Sequence, residues 1–381
     1  MNRKIFLIIA LAVMDLYLSG RASGHDAPMH VDPELLAGWR TWLHLTIQWS
    51  HLVAFGLWLG LIVVTLVLRL TPPLDILLYS SWVLFLVSLA TGTYNMEWSA
   101  GISETPSILL LPLLSPIPYG VSYTIVLTVK LGFYILLLFW TLFITALHLK
   151  RQRDEGKLRK LFVLVGSFLG VAISLATAVV LFYHEAADLW PTPVHSLGGV
   201  VGPEGPRPQA GLNQKPSSPD GFWLLTTSAA WVDISVRWVH LLGFALWVGA
   251  SAAALLFGPV PIARFLSISW AAISLQLLSG IAGMVRWAPF DVPPYFWNLD
   301  HLSRIRFGRS YALFMTAKHG LVLVAIALMT IWTVRYGKNR RRNTPETPVQ
   351  SLAGASLCIG LVIGYIMMII LFLHEGVDHA L

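Results

Sequence analysis

The chain reads Trp49-Ser50-His51-Leu52-Val53-Ala54-Phe55-Gly56-Leu57-Trp58-Leu59-Gly60 and, 189 residues later, Trp238-Val239-His240-Leu241-Leu242-Gly243-Phe244-Ala245-Leu246-Trp247-Val248-Gly249. Two further patterns recur at nearly the same spacing. Thr128-x-Lys130-x-Gly132 returns as Thr316-x-Lys318-x-Gly320, and Leu181-Phe182-x-His184-Glu185-x-x-Asp188 returns as Leu371-Phe372-x-His374-Glu375-x-x-Asp378. A nearly constant offset across three patterns indicates an internal duplication, in which each half is one structural unit.

The composition excludes an ordinary soluble enzyme, a disordered chain and a disulfide scaffold. Of 381 residues, 56% are hydrophobic and 12% are charged, whereas an average soluble protein is about 25% charged. The single cysteine, Cys358, rules out an intrachain disulfide. The net charge of +7 arises from basic residues beside apolar segments, which is typical of membrane topology and gives no reason to expect a nucleic-acid partner. The expected partner is therefore the lipid bilayer.

Eight apolar segments are long enough to cross a bilayer, which needs about 20 residues. They cover 43–69, 76–97, 121–148, 160–187, 233–257, 265–288, 311–334 and 350–375. We expect an all-α membrane protein whose eight core transmembrane helices form two tandem, parallel four-helix bundles. The predicted organisation is a signal peptide or anchor at 1–24, an extracytoplasmic segment at 25–42, a first four-helix unit at 43–187, a Pro/Gly-rich external linker at 188–232 and a second unit at 233–381.

Loop charge predicts the orientation of these helices. Basic residues crowd the 149–160 and 335–342 loops, whereas the 98–120 loop contains no Lys or Arg. The positive-inside rule places both basic loops in the cytoplasm. Both ends of the core and the 188–232 linker are then expected on the periplasmic side of a bacterial inner (cytoplasmic) membrane, in agreement with the signal-like start of the chain.

Each half carries ionisable residues that are costly inside a membrane and usually functional there. They are His51, Lys130, His184 and Glu185 in the first half and His240, Lys318, His374 and Glu375 in the second. With the expected topology, all of them lie in the outer half of the bilayer. For any one histidine, a hydrogen bond between helices is the simpler interpretation. A set repeated at matching depth favours cofactor or metal chemistry.

Haem b is the leading interpretation, because two neutral imidazoles from different helices of a bundle can hold one iron axially. The residues expected to bind it are the pairs His51 with His184 and His240 with His374, the propionate partners Lys130, Lys318 and Arg237, and the alternative ligand His319, which breaks the repeat. The repeat glycines Gly56, Gly60, Gly243 and Gly249 are expected to let a flat macrocycle approach the backbone.

Copper is the alternative, since imidazole and thioether ligands suit Cu(I). The predicted copper sites are His51, Met96 and His184 in one half and His240, Met284 and His374 in the other. No catalytic residue is predicted, because the chain has no phosphate-binding loop, no Cys-x-x-Cys motif and no nucleophile elbow. The repeated Trp58 and Trp247 are expected to pack inside each unit.

The Trp-x-His-Leu-x-x-Phe-x-Leu-Trp-x-Gly pattern on a first span, followed by Lys-x-Gly on a third, resembles the copper-resistance protein D (CopD) domain family. It is also distantly similar to the four-helix membrane protoporphyrinogen oxidases, which bind haem b. The resemblance covers about 43–190 and 233–381. It implies copper uptake in the first case, and in the second a functional His at His51 and His240 with a Lys at Lys130 and Lys318. The fusion of two units and the His-Glu-x-x-Asp endings depart from both families.

These observations together predict a b-type cytochrome subunit with one haem in each half. It would carry electrons between the quinone pool, or a membrane partner, and an extracytoplasmic redox protein. Copper transport across the inner membrane is the second prediction, and a porphyrinogen oxidase-like enzyme is the third. The absence of a catalytic motif favours an electron-transfer subunit over a free-standing enzyme.

Overall fold

A computed structural model describes residues 36, 38–99, 119–150, 154–188, 222–258, 260–287, 295–304, 307–342 and 349–378. Within these ranges, the side chains at 96–99, 184–188, 222–223, 285–287 and 374–378 are not described. The predicted signal or anchor at 1–24, most of the predicted 25–42 segment and most of the predicted linker therefore lie outside the described residues.

Eight long helices confirm the predicted all-α membrane architecture, and each is long and apolar enough to cross a bilayer. They are α1 (Trp39–Val67), α2 (Leu74–Ser99), α3 (Gly120–Leu149), α4 (Glu155–Asp188), α5 (Ser228–Leu256), α6 (Ile262–Trp287), α7 (Gly308–Arg342) and α8 (Val349–Asp378). Shorter helical turns lie at Phe222–Thr226, Phe296–Asn298 and Leu299–Leu302. The described part of the chain contains no strand.

The start of α5 differs from the prediction, because the helix begins at Ser228, inside the segment predicted as linker. Thr227 explains this start. Its Oγ1 accepts a hydrogen bond from the Ala230 amide at 3.3 Å, and so caps one of the amides that the first helical turn leaves unpaired. The polar residues 226–228 therefore belong to the beginning of a helix.

Helices α1 and α5 form the centre of the molecule and pack against each other. Within the first half α1 packs against α2 and α4, and within the second half α5 packs against α6 and α8. Helices α3 and α7 lie farther out and pack mainly on α4 and α8, respectively. Each fourth helix also contacts the first helix of the other half. The central pair therefore joins the two repeats.

The glycine that ends the repeated pattern makes this central contact possible. A Cβ added at Gly60 would lie 1.8 Å from the carbonyl oxygen of Ala245, and one added at Gly249 would lie 2.3 Å from the Gly60 Cα. Gly56 lies one turn earlier and faces the Phe244 ring. Gly56 and Gly60 oppose Ala245 and Gly249 as two small-x-x-x-small surfaces, which allow close approach of membrane helices.

The expectation that the repeat glycines make room for a macrocycle is therefore wrong for this surface. Gly56, Gly60 and Gly249 make room for a neighbouring helix. Gly243 packs on α6, where an added Cβ would lie 3.2 Å from both the Ala272 carbonyl oxygen and the Gln276 side chain.

The tryptophan that begins the repeated pattern reaches across to the other half. Trp49 Nε1 donates to the Leu361 carbonyl on α8 at 3.0 Å, and Trp238 Nε1 donates to Ser174 Oγ on α4 at 2.9 Å. The second tryptophan of each pattern is buried, as expected for a packing role. Trp58 donates to Ser81 and Trp247 donates to Ser356.

Candidate functional site

The repeated histidines and lysines occupy matching depths in the two halves. His51 and His240 each lie twelve residues after the first residue of their helix, Trp39 or Ser228. At 1.5 Å per residue this is about 18 Å along the axis. Lys130 and Lys318 each lie ten residues into α3 and α7, or about 15 Å. The duplication therefore places each His–Lys pair at one level.

Helix geometry explains why the Trp-x-His pattern serves two purposes. Residues two apart are turned by about 200° around an α-helix, so they face opposite sides. Trp49 faces the other half, and His51 therefore faces its own half, where α2 lies. Gly60, nine residues after His51, returns to the side that faces α5.

His51 is held by α2 through one ring nitrogen. Its Nδ1 lies 2.9 Å from the Ser88 carbonyl oxygen and 3.2 Å from Thr91 Oγ1. A carbonyl only accepts, and the Thr91 hydroxyl already donates to the Val87 carbonyl at 2.7 Å. Nδ1 must therefore carry the proton, which leaves the lone pair of the neutral ring on Nε2. A Cβ at Gly92 would lie 2.9 Å from His51 Cε1, so this glycine makes room for the ring.

His240 is held in a related way by α6. Its Nδ1 lies 2.9 Å from Ser279 Oγ. The Ser279 hydroxyl donates to the Leu275 carbonyl, so its oxygen accepts the Nδ1 proton and Nε2 again keeps the lone pair. Gln276 Nε2 donates to the backbone oxygen of His240. Gly280 faces the ring, with its added Cβ 3.6 Å from Cε1.

The residues that hold the two rings occupy equivalent positions of the repeat. Ser88, Thr91 and Gly92 on α2 correspond to Gln276, Ser279 and Gly280 on α6, each 188 residues later. The glycine was visible in the repeat, but the hydroxyl residue before it was missed. The signal that marks it is a serine or threonine at the same position in both halves, directly before a repeated glycine.

The two lysines lie beside the histidines without a carboxylate partner among the described side chains. Lys130 is close enough to His51, and Lys318 to His240, for an electrostatic interaction. The Lys318 ammonium also donates to the thioether of Met367 on α8 at 3.8 Å. A cation inside a membrane span needs a counter-charge or water, so each His–Lys pair suits a ligand that brings negative charge.

Arg237 has a different role from the one predicted. Its Nε donates to Asp233 Oδ2 at 3.0 Å, one turn earlier on α5. The Asp233 side chain is 1% exposed and that of Arg237 is 17% exposed. This carboxylate balances the guanidinium charge within the chain, so Arg237 is not needed as a counter-charge for a cofactor.

His319 and Met284 meet through a tyrosine that the sequence did not single out. The His319 ring lies edge-on to Tyr295, with ring centroids 5.4 Å apart, and its Nδ1 donates to the Met315 carbonyl at 2.9 Å. The Tyr295 hydroxyl donates to Met284 Sδ at 3.6 Å. Tyr295 lies outside the spans, and burial raises the pKa of its phenol, which keeps this proton in place.

The predicted second ligands His184 and His374, and the predicted copper ligand Met96, lie outside the described side chains. The backbones of α4 and α8 continue as helix past both histidines, to Asp188 and Asp378. Among the described residues, no group of three His, Cys, Asp or Glu side chains is placed to hold a metal ion.

The fold and the repeated sites together define a multi-pass, all-α membrane protein built from two tandem copies of one unit. Comparisons with models of protein families, with curated proteins and with solved structures gave no significant match.

Proposed function

We propose that the protein binds haem b, one in each half, and works as an electron-transfer subunit of a bacterial inner-membrane redox complex. One observation carries this proposal: each half holds an imidazole inside the membrane through Nδ1, leaves Nε2 able to bind a metal, and places an unpaired lysine beside it.

This hydrogen bonding suits a histidine that ligates a metal. Such a histidine usually donates its other ring N–H to a carbonyl or another acceptor, which sets the tautomer and the ring orientation. His51 and His240 both do so. A histidine that only linked two helices would gain nothing from a second ring nitrogen kept free in both copies.

The lysines fit the acidic groups of the same cofactor. Haem b carries two propionates, and Lys130 and Lys318 have no carboxylate partner among the described side chains. When bound, haem would supply reversible one-electron chemistry. The protein's part is then to hold the ring nitrogen toward the cofactor, to balance propionate charge with the lysine, and to exclude water with the surrounding apolar helices.

The second imidazole of each site is proposed to come from the ends of α4 and α8, at His184 and His374. With the basic loops in the cytoplasm, both sites lie nearer the periplasmic face. Electrons would then pass between the quinone pool, or a membrane partner, and a periplasmic redox protein.

A reduced-minus-oxidised visible spectrum of the purified full chain tests this proposal. We expect b-type bands and about two haems per chain. His51→Ala and His240→Ala are each expected to remove about one haem, whereas His148→Ala, near the opposite end of α3, is expected to keep both.

Copper and porphyrinogen oxidation are separated by the same preparation. Bound copper without haem would replace the proposal with the copper-transport prediction. Haem together with turnover of a porphyrinogen would replace the electron-transfer role with the oxidase prediction. A spectrum without b-type bands after expression with ample haem would refute the proposal outright.

A further inference from the structure

The two halves hold their histidines by different acceptors, although the positions are equivalent. His51 Nδ1 meets a backbone carbonyl at 2.9 Å, with the Thr91 hydroxyl farther away at 3.2 Å. His240 Nδ1 meets the Ser279 hydroxyl at 2.9 Å. The residue that corresponds to Ser88 is Gln276, and its side chain donates to the backbone of His240 and leaves the ring nitrogen alone.

We infer that Ser279 is a positioning residue on which the tautomer of His240 depends, that Thr91 is dispensable for His51, and that the two sites are consequently unequal in reduction potential. This inference rests on the proposed function for its electrochemical part only. The tautomer part concerns the protein without any cofactor.

The physical reason lies in what each ring loses when a side chain is removed. Without the Thr91 hydroxyl, His51 keeps the Ser88 carbonyl, which no side-chain substitution removes. Without the Ser279 hydroxyl, no other acceptor of His240 Nδ1 remains among the described contacts, and a buried N–H without an acceptor is costly. The His240 ring would then move its proton to Nε2 or turn, and either change removes the free lone pair from its place.

The same difference orders the potentials. A hydrogen bond from Nδ1–H to an acceptor raises the electron density on the ligating nitrogen, and outer-shell partners of this kind tune reduction potentials. His51 donates to a carbonyl with a hydroxyl in support, whereas His240 donates to a hydroxyl alone. The His51 site is therefore the lower-potential site, and electrons pass from the first half to the second.

The tautomer part is tested by nitrogen NMR on the detergent-solubilised full chain with ¹⁵N-labelled histidine, at about pH 8, where an ordinary imidazole is neutral. His51→Ala and His240→Ala assign the signals. Ser279→Ala is expected to lose the Nδ1–H tautomer of His240, Ser279→Thr to retain it, and Thr91→Val to leave His51 unchanged. An unchanged His240 in Ser279→Ala, or an equal loss at His51 in Thr91→Val, would overturn the inference.

The potential part uses a spectroelectrochemical titration of the haem-loaded chain. Two unequal midpoints are expected, with the lower one missing from His51→Ala. Ser279→Ala is expected to raise the midpoint of the His240 site or to release its haem, and a lower midpoint at His240 in the unmodified chain would contradict the assigned order. If the unmodified chain binds no haem, the proposed function fails, while the NMR result still decides the role of Ser279.

Discussion

Replacing Gly60 by alanine tests the contact that joins the two repeats. The new Cβ would start 1.8 Å from the Ala245 carbonyl oxygen, whereas ordinary contact begins at about 3.4 Å. Because the opposing atom is backbone, no side-chain rotation relieves the clash. Helices α1 and α5 must part by about 1.6 Å at the crossing, and a gap of about 1 Å already loses up to half of a contact's dispersion energy.

We therefore expect Gly60→Ala to lower the free energy of unfolding by about 3 kcal/mol, the upper end of the usual cost of overpacking. The measurement is unfolding of the micelle-bound protein in increasing SDS, followed by helical circular dichroism. Gly132→Ala is the matched control, since a Cβ there meets nothing within 4 Å. The control should be neutral or stabilising by up to about 1 kcal/mol, because alanine is the better helix former.

Equal stability of Gly60→Ala and Gly132→Ala would refute the close crossing of α1 and α5. Gly249→Ala is a second check from the other side of the contact, where the added Cβ would lie 2.3 Å from Gly60 Cα. It should destabilise the protein by a similar amount, whereas a large difference between the two would mean that the crossing is not centred on this glycine pair.

Three smaller effects are expected on and around α5. Trp238→Phe removes the hydrogen bond to Ser174 and should cost about 1 kcal/mol; in a double-mutant cycle with Ser174→Ala the costs should not add, and full additivity would contradict the bond. Asp233→Ala leaves the partly buried Arg237 guanidinium without its carboxylate and should cost about 3 kcal/mol in the same SDS titration; a cost recovered in Asp233→Ala with Arg237→Leu supports the pair, and no recovery counts against it. Thr227→Ala removes the cap of α5 and should cost about 1 kcal/mol, seen as faster hydrogen exchange in the first turn only, so that unchanged exchange there would refute the cap.

Much of the site was predictable because a membrane makes polar residues conspicuous. His51 and Lys130 stand out in apolar segments, and their recurrence as His240 and Lys318 removes chance as an explanation. The Arg237–Asp233 pair was also within reach, since opposite charges four residues apart on a helix face each other. It was missed because Arg237 was considered only as a partner for a cofactor.

Thr91 and Ser279 were harder to recognise. A hydroxyl residue inside a membrane helix satisfies itself by donating to a carbonyl one turn earlier, so its presence carries little cost and draws no attention. Its second role, as acceptor for a histidine on another helix, depends on the ring lying opposite. That placement is a property of two helices together.

The sequence alone establishes the number of spans, the duplication and the depth of each His–Lys pair, because bilayer thickness and helix rise convert residue counts into distance. It does not establish what a glycine is for. Gly60 and Gly249 suit a flat ligand as well as a neighbouring helix, and their use depends on which surface packs against them. That surface is another helix 189 residues away in the chain, so only the assembled protein shows that these glycines join its two halves.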